Sequence, residues 1–305
     1  MSVDGRRSVF NPGTTVVAHL SDILDRPTTD RDVRDRGAHK ADHQVIVLFS
    51  AKGGCGSTSL AVNVAQALAK GKRAVCVLDM DLQVGGVRSA LGLRRVTTVA
   101  QALKWTEEGT PCTPALLARH ESGVAAIAQA GTVEELDTIV PEKLPKLVAN
   151  LRKSFTTIIV DGVRDFSETT LAILDAADTV AVVAVPEVLA IRNAKWIFEI
   201  LRRIGYSPDE LALIVNRHAT WVATYVEATR KLFLPTPTHT VPFDAEIVTE
   251  SLDRGILLDD LDPHRHVTRG IARLAWTLVG EERPGDLAAL DKEPTSFWAR
   301  VLKGG

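Results

Sequence analysis

The sequence is poor in the residues that would suit it to an oxidising or membrane environment. Cysteine occurs only three times in 305 residues, at Cys55, Cys76 and Cys112, with no CxxC spacing. That excludes a dense disulfide framework and fits a reducing cytoplasm. No apolar run approaches the roughly 20 residues that a bilayer-spanning helix needs; the longest, residues 179–191, is broken by Pro186 and Glu187. The opening MSVDGRRSVFNPGTTVV lacks an apolar segment of signal-peptide length, so no secretory leader is expected. Charge of one sign is also missing. Lys and Arg number 36 against 38 Asp and Glu, a net charge of −2, which gives no global attraction for nucleic acid. The eight histidines form no HxxxH or comparable ligand set, and His264 and His266, flanking Arg265, read as surface residues.

What is present is an ordinary globular composition, 45% hydrophobic and 24% charged, with enough apolar residues for a sizeable core. Residues 1–43 are charge-dense and turn-rich, and predict a mostly disordered arm carrying at most one short docking helix. From residue 45 short β-branched runs alternate with helical stretches. VIVLF (45–49), AVCVLD (74–79), VAAIAQ (124–129), TIIVD (157–161), TVAVVAV (179–185) and LALIVN (211–216) read as strands. Residues 58–70, 134–153, 168–176, 188–204, 221–232 and 264–279 read as helices. Runs apolar on both faces, ordered β, α, β, α, predict a doubly wound α/β domain over residues 44–280: a mostly parallel sheet with helices on both faces. Arg192, Lys195, Arg202 and Arg203 read as a solvated helix face rather than a DNA contact. Residues 281–305 predict a polar linker and a short amphipathic tail, with Phe297, Trp298, Val301 and Leu302 on one side of a final helix.

The loop after the first strand reads KGGCGST, Lys52 to Thr58. Gly53, Gly54 and Gly56 would let backbone N–H groups face a phosphate, and the following helix start favours an anion. Thr58 stands where a hydroxyl binds Mg²⁺, with Ser59 beside it. The lysine that normally follows the last glycine of such a loop is absent, and Ser57 stands there.

This loop resembles the deviant Walker A family of P-loop ATPases that includes ParA and MinD, whose loop reads KGGxGK[ST]. The resemblance spans about residues 45–279. Within the family, a loop lacking its second lysine and followed by LAVN (60–63) is similar to the CpaE or TadZ pilus-assembly branch. The resemblance implies a P-loop NTPase fold, ATP and Mg²⁺ as cofactors, and a homodimer across ATP in which Lys52 reaches the partner's phosphates. It implies that Gly53, Gly54, Cys55, Gly56, Ser57, Thr58 and Ser59 hold the phosphates. Asp81 orients the attacking water, while Asp79 and the Walker B acid Asp161 stand with Thr58 in the metal environment. Asn216 reads adenine beside Arg217, and Pro242 lines the base pocket. One departure is the run Gly162-Val163-Arg164, where the family often carries a proline.

Three functions remain open at this point. One is an ATP-dependent dimerising spatial regulator with slow hydrolysis, organising Flp/Tad pilus or secretion machinery through a protein partner. Another is a non-hydrolysing scaffold, and a third is a chromosome, plasmid or division-site positioning ATPase. The tail SFWARVLKGG is similar to the membrane-targeting tail of MinD and implies reversible contact with the inner face of the cell membrane. A frayed tail or a helix packed on the domain is its other reading.

Overall fold

The computed structural model describes residues 43–129, 131–219, 223–284 and Leu287. Residues 1–42 of the expected arm (1–43) and the tail residues Phe297, Trp298, Val301 and Leu302 lie outside the described residues. The strands are β1 (Gln44–Ser50), β2 (Val75–Asp79), β3 (Thr97–Thr98), β4 (Ala118–Arg119), β5 (Ala125–Ala128), β6 (Thr157–Val163), β7 (Thr179–Ala184), β8 (Leu211–His218) and β9 (Thr238–Pro242). The helices are α1 (Ser57–Lys70), α2 (Val87–Ala90), α3 (Val99–Glu107), α4 (Val133–Leu136), α5 (Leu144–Arg152), α6 (Glu168–Ala176), α7 (Val188–Arg203), α8 (Ala223–Phe233), α9 (Ala245–Arg254), α10 (Leu258–Leu261) and α11 (His266–Val279).

All nine strands join one sheet in the order β3-β5-β2-β6-β1-β7-β8-β9, with β4 antiparallel to β5 and the other pairings parallel. Every residue of β2 and all but the end residues of β1 are buried. Successive strand side chains point to opposite faces, so burial of both implies that helices cover both. The chain leaves β1, skips a place to form β2, and later returns to insert β6 between them before crossing to β7. This reversal beside β1 is the place where open α/β sheets form a crevice outside the carboxyl ends of their strands.

The structure corrects several boundaries. The single helix expected over 134–153 is three pieces, α4, a 3₁₀ turn at Pro141–Lys143, and α5. Pro141 and Pro145 lack amide hydrogens and serve only in the first turns of new segments. The edge strands β3 and β9 and helix α3 were not apparent in the sequence. THTVP in β9 is only half-buried apart from Val241, so it carries no continuous apolar run.

One face of α1 binds the carboxyl-terminal segment through polar side chains. Asn63 Oδ1 accepts from the Leu258 N–H at 2.8 Å, and Gln66 donates to Asp260 Oδ2 at 2.6 Å. Lys70 pairs with Asp259 and, at 2.8 Å, with Asp260. Gln44 donates to the carbonyl of Val279 at 3.0 Å, and Arg73 pairs with Glu281. The phosphate-loop helix is thereby tied to the segment Leu258–Asp260, and its flanking residues Gln44 and Arg73 to Val279 and Glu281.

Candidate nucleotide site

The Lys52–Thr58 loop leaves the carboxyl end of β1 and feeds α1. Gly53 and Gly54 are exposed, and a Cβ on either would meet nothing within 4 Å. Gly56, the N-cap of α1, sits in the left-handed region at φ 86° with no side-chain cap and no acid in the first turn. The first N–H groups of α1 therefore have neither a capping oxygen nor a competing carboxylate, the condition for binding an anion. Gly56 is also required sterically, because a Cβ there would stand 2.6 Å from Asn216 Nδ2.

Ser57 turns its hydroxyl toward the end of β1, where Ser57 Oγ and Ser50 Oγ are 2.6 Å apart. Lys52 reaches out from the loop to Glu187 at the start of α7, Nζ to Oε2 2.6 Å. Asn193 of α7 donates to the carbonyl of Ala51 at 3.0 Å, a second tie from that helix. The Cys55 thiol is buried, which raises its pKa and makes it inert.

The acidic residues come from the neighbouring strands. Asp79 and Asp161 are register partners at the carboxyl edge of β2 and β6. Asp79 is fully buried and accepts three backbone N–H groups: Asp81 at 3.1 Å on Oδ1, and Gly86 at 2.9 Å and Val87 at 3.1 Å on Oδ2. Its carboxylate thus anchors the loop that presents Asp81. Burial raises its pKa, opposed by those three donors.

Asp161 is different. It is as buried as Asp79, yet its Oδ1 has no hydrogen-bond partner. Burial pushes its pKa up to about 7, the Thr58 hydroxyl opposing and the Asp79 charge adding. A buried carboxylate with a vacant acceptor beside a threonine hydroxyl matches the all-oxygen donor set of Mg²⁺.

Gly162 follows at φ 84°, where a Cβ would lie 2.1 Å from the Asp81 nitrogen. The Met80 N–H donates to the Asp161 carbonyl at 2.9 Å. These contacts lock the ends of β2 and β6 together. Asp81 is held on its other side by Arg164, Nη2 to Oδ1 3.3 Å.

From β8, Asn216 is buried and donates to the Cys55 carbonyl at 2.8 Å, while its Oδ1 accepts from the Arg217 N–H at 2.9 Å. Arg217 adopts φ 57°, rare for a non-glycine residue, and its guanidinium donates to the Gly54 carbonyl at 2.8 Å. Both residues expected at the base thus brace the phosphate loop. Pro242 ends β9 against Gly270 of α11, where a Cβ would meet its ring at 2.5 Å. The structure brings the expected loop, acids and β8 residues together at one sheet edge and adds Ser50, Glu187, Asn193 and Arg164. Motif spacing did not single these out as site residues, because their contacts link distant segments or, for Ser50, precede the motif.

A family model described as an AAA domain matches residues 43–210, more than half of the chain. The chain belongs to the ParA/MinD family of P-loop ATPases. The septum site-determining protein MinD of Bacillus subtilis is 26% identical over 275 residues, covering 85% of this chain and 96% of the relative. The flagellum site-determining protein YlxH of Helicobacter pylori is 26% identical, covering 87% and 92%. Among solved structures, a ParA family ATPase from Chlorobium tepidum has TM-score 0.69 at 21% identity, covering 76% of this chain and 98% of that one. MinD of Pyrococcus horikoshii, solved complexed with Mg-ADP, has TM-score 0.66 at 20% identity, covering 82% and 99%. These structures share the doubly wound fold predicted from the strand and helix pattern.

Proposed function

We propose that the chain is an ATP-binding spatial regulator. Two copies close on ATP, the closed form recruits a protein partner, and slow hydrolysis resets it. The observation that carries this reading is the partnerless oxygen of the fully buried Asp161 beside Thr58, at the edge where the phosphate loop, Asp81 and Asn216 converge. Thr58 and Asp161 would hold Mg²⁺, which offsets negative charge on the phosphates when bound. The uncapped start of α1 holds the phosphates, Asp79 fixes the loop carrying Asp81, and Asp81 orients the attacking water. Lys52 exchanges Glu187 for a phosphate of the facing copy. Without a lysine at Ser57, one cationic contact to the transition state is missing, so turnover is slow while binding persists.

The likeness to MinD and YlxH, site-determining proteins of septum and flagellum, supports a positioning function. The loop's similarity to the CpaE or TadZ branch supports a Flp/Tad pilus or secretion machine as what is organised. Contact of the tail with a membrane belongs to the same proposal.

The test is nucleotide-dependent self-association. Light scattering of the full chain with ATP and Mg²⁺ is expected to show dimers that Lys52→Ala abolishes and Asp81→Ala traps. Indifference to both substitutions would leave a scaffold that does not use nucleotide, and binding to DNA at near-physiological salt would favour partition.

A further inference from the structure

Lys52, Arg217 and Arg164 border the site, and each holds a different counterpart. Lys52 is paired with the Glu187 carboxylate and Arg217 with a loop carbonyl near Asn216. Arg164 alone of the three pairs with the aspartate assigned to water orientation, Asp81, at 3.3 Å.

Its position is built, not incidental. Upstream, Gly162 packs on the Asp81 peptide and the Met80 N–H bonds to the Asp161 carbonyl. Downstream, the Phe166 ring lies 5.0 Å from that of Phe49. Asp165 Oδ1 accepts from the Ser167 N–H at 3.0 Å and the Thr170 hydroxyl at 3.1 Å, and Ser167 caps α6. The backbone on both sides of Arg164 is therefore fixed, while the side chain itself is 54% exposed and makes a single contact to Asp81. An exposed one-point ion pair is weak and exchanges readily. A guanidinium also has a planar fork that bonds phosphate oxygens in pairs, a better counterpart than one carboxylate oxygen.

We propose that Arg164 is a γ-phosphate-sensing residue. Its guanidinium pairs with Asp81 and transfers to the terminal phosphate of ATP when nucleotide binds. In doing so it places a positive charge on the terminal phosphate alone and frees Asp81 to hold water. The inference rests on the nucleotide-binding reading above and adds the selection of triphosphate over diphosphate to it. No bond is made or broken in the exchange.

The experiment is equilibrium binding of ATP and of ADP, with Mg²⁺, to the wild-type chain, Arg164→Ala and Arg164→Lys. Arg164→Ala is expected to weaken ATP about tenfold or more, the scale of one hydrogen bond to a charged group. ADP binding is expected to stay within about twofold, since the contact is confined to the terminal phosphate. Arg164→Lys retains part of the preference. If Arg164→Ala leaves the ratio of ATP to ADP affinity unchanged, by altering neither or both alike, the role of Arg164 is overturned while nucleotide binding stands. A wild-type chain that binds neither nucleotide overturns the nucleotide reading and this one with it.

Discussion

The Lys52 ammonium lies 2.6 Å from the Glu187 carboxylate, so the loop's one lysine is held within its own chain by the first residue before α7. A closed dimer that uses Lys52 across the interface must first break this pair. Both side chains are partly exposed, so the pair contributes at most about 1 kcal/mol. One such pair breaks in each copy, about 2 kcal/mol per dimer at most, so Glu187→Gln is expected to raise the ATP-dependent dimerisation constant by up to about thirtyfold. Analytical ultracentrifugation checks this, and a dimer weakened by Glu187→Gln would show the carboxylate to be part of the interface instead.

Restoring the missing cation is the complementary change. Ser57→Lys is expected to tighten ATP roughly ten- to a hundredfold, the range for a hydrogen bond to a charged group. It should also raise the hydrolysis rate, because the ammonium stabilises charge in the transition state. Phosphate release under single-turnover conditions measures the rate. An unchanged rate would mean that the missing ammonium is not what limits turnover.

Gly162→Ala tests the lock between β2 and β6. At φ 84° with a Cβ 2.1 Å from the Asp81 nitrogen, alanine forces the two strand ends apart. A loss of roughly 1–3 kcal/mol or more in unfolding free energy is expected. Urea denaturation reads this as a lower midpoint at unchanged slope.

Asp161 sets a pH dependence. Its folded pKa of about 7 lies above the 3.8 of an ordinary aspartate. Between those values the folded chain holds a proton that the unfolded chain has released, so without metal this group makes stability fall as pH rises from about 4 to about 7 and level off above. Asp161→Asn should flatten that slope and stabilise the metal-free chain at pH 8 by an amount on the order of a few kcal/mol. Mg²⁺ should affect wild-type stability more at pH 8 than at pH 5.5, because the proton competes for the same carboxylate. Thermal melts at both pH values, with Mg²⁺ or EDTA, measure all three effects.

The central strands were legible because burial on both faces leaves an uninterrupted apolar run, as in VIVLF and TIIVD. The phosphate loop was legible because its glycines and Thr58 are contiguous. Edge strands β3 and β9 were not, since half-buried THTVP has no such run. The helix expected over 134–153 failed at Pro141 and Pro145, whose missing N–H groups outweighed the apolar periodicity. Asp79 and Asp161 look alike as strand-end acids. Only the three amides on one and the vacant oxygen of the other separate anchor from metal candidate. Glu187 and Arg164 escaped notice as site residues because they act through neighbours 135 and 83 positions away.

The row Asn63, Gln66 and Lys70 gives α1 a mechanical character. A 14-residue helix is a stiff rod about 21 Å long. One end faces the phosphate loop, and its flank is fastened to Leu258, Asp259 and Asp260. The residue row on that flank therefore makes the segment Leu258–Asp260 share one rigid element with the phosphate loop, so the two are neighbours through the helix although about 200 positions of chain separate them.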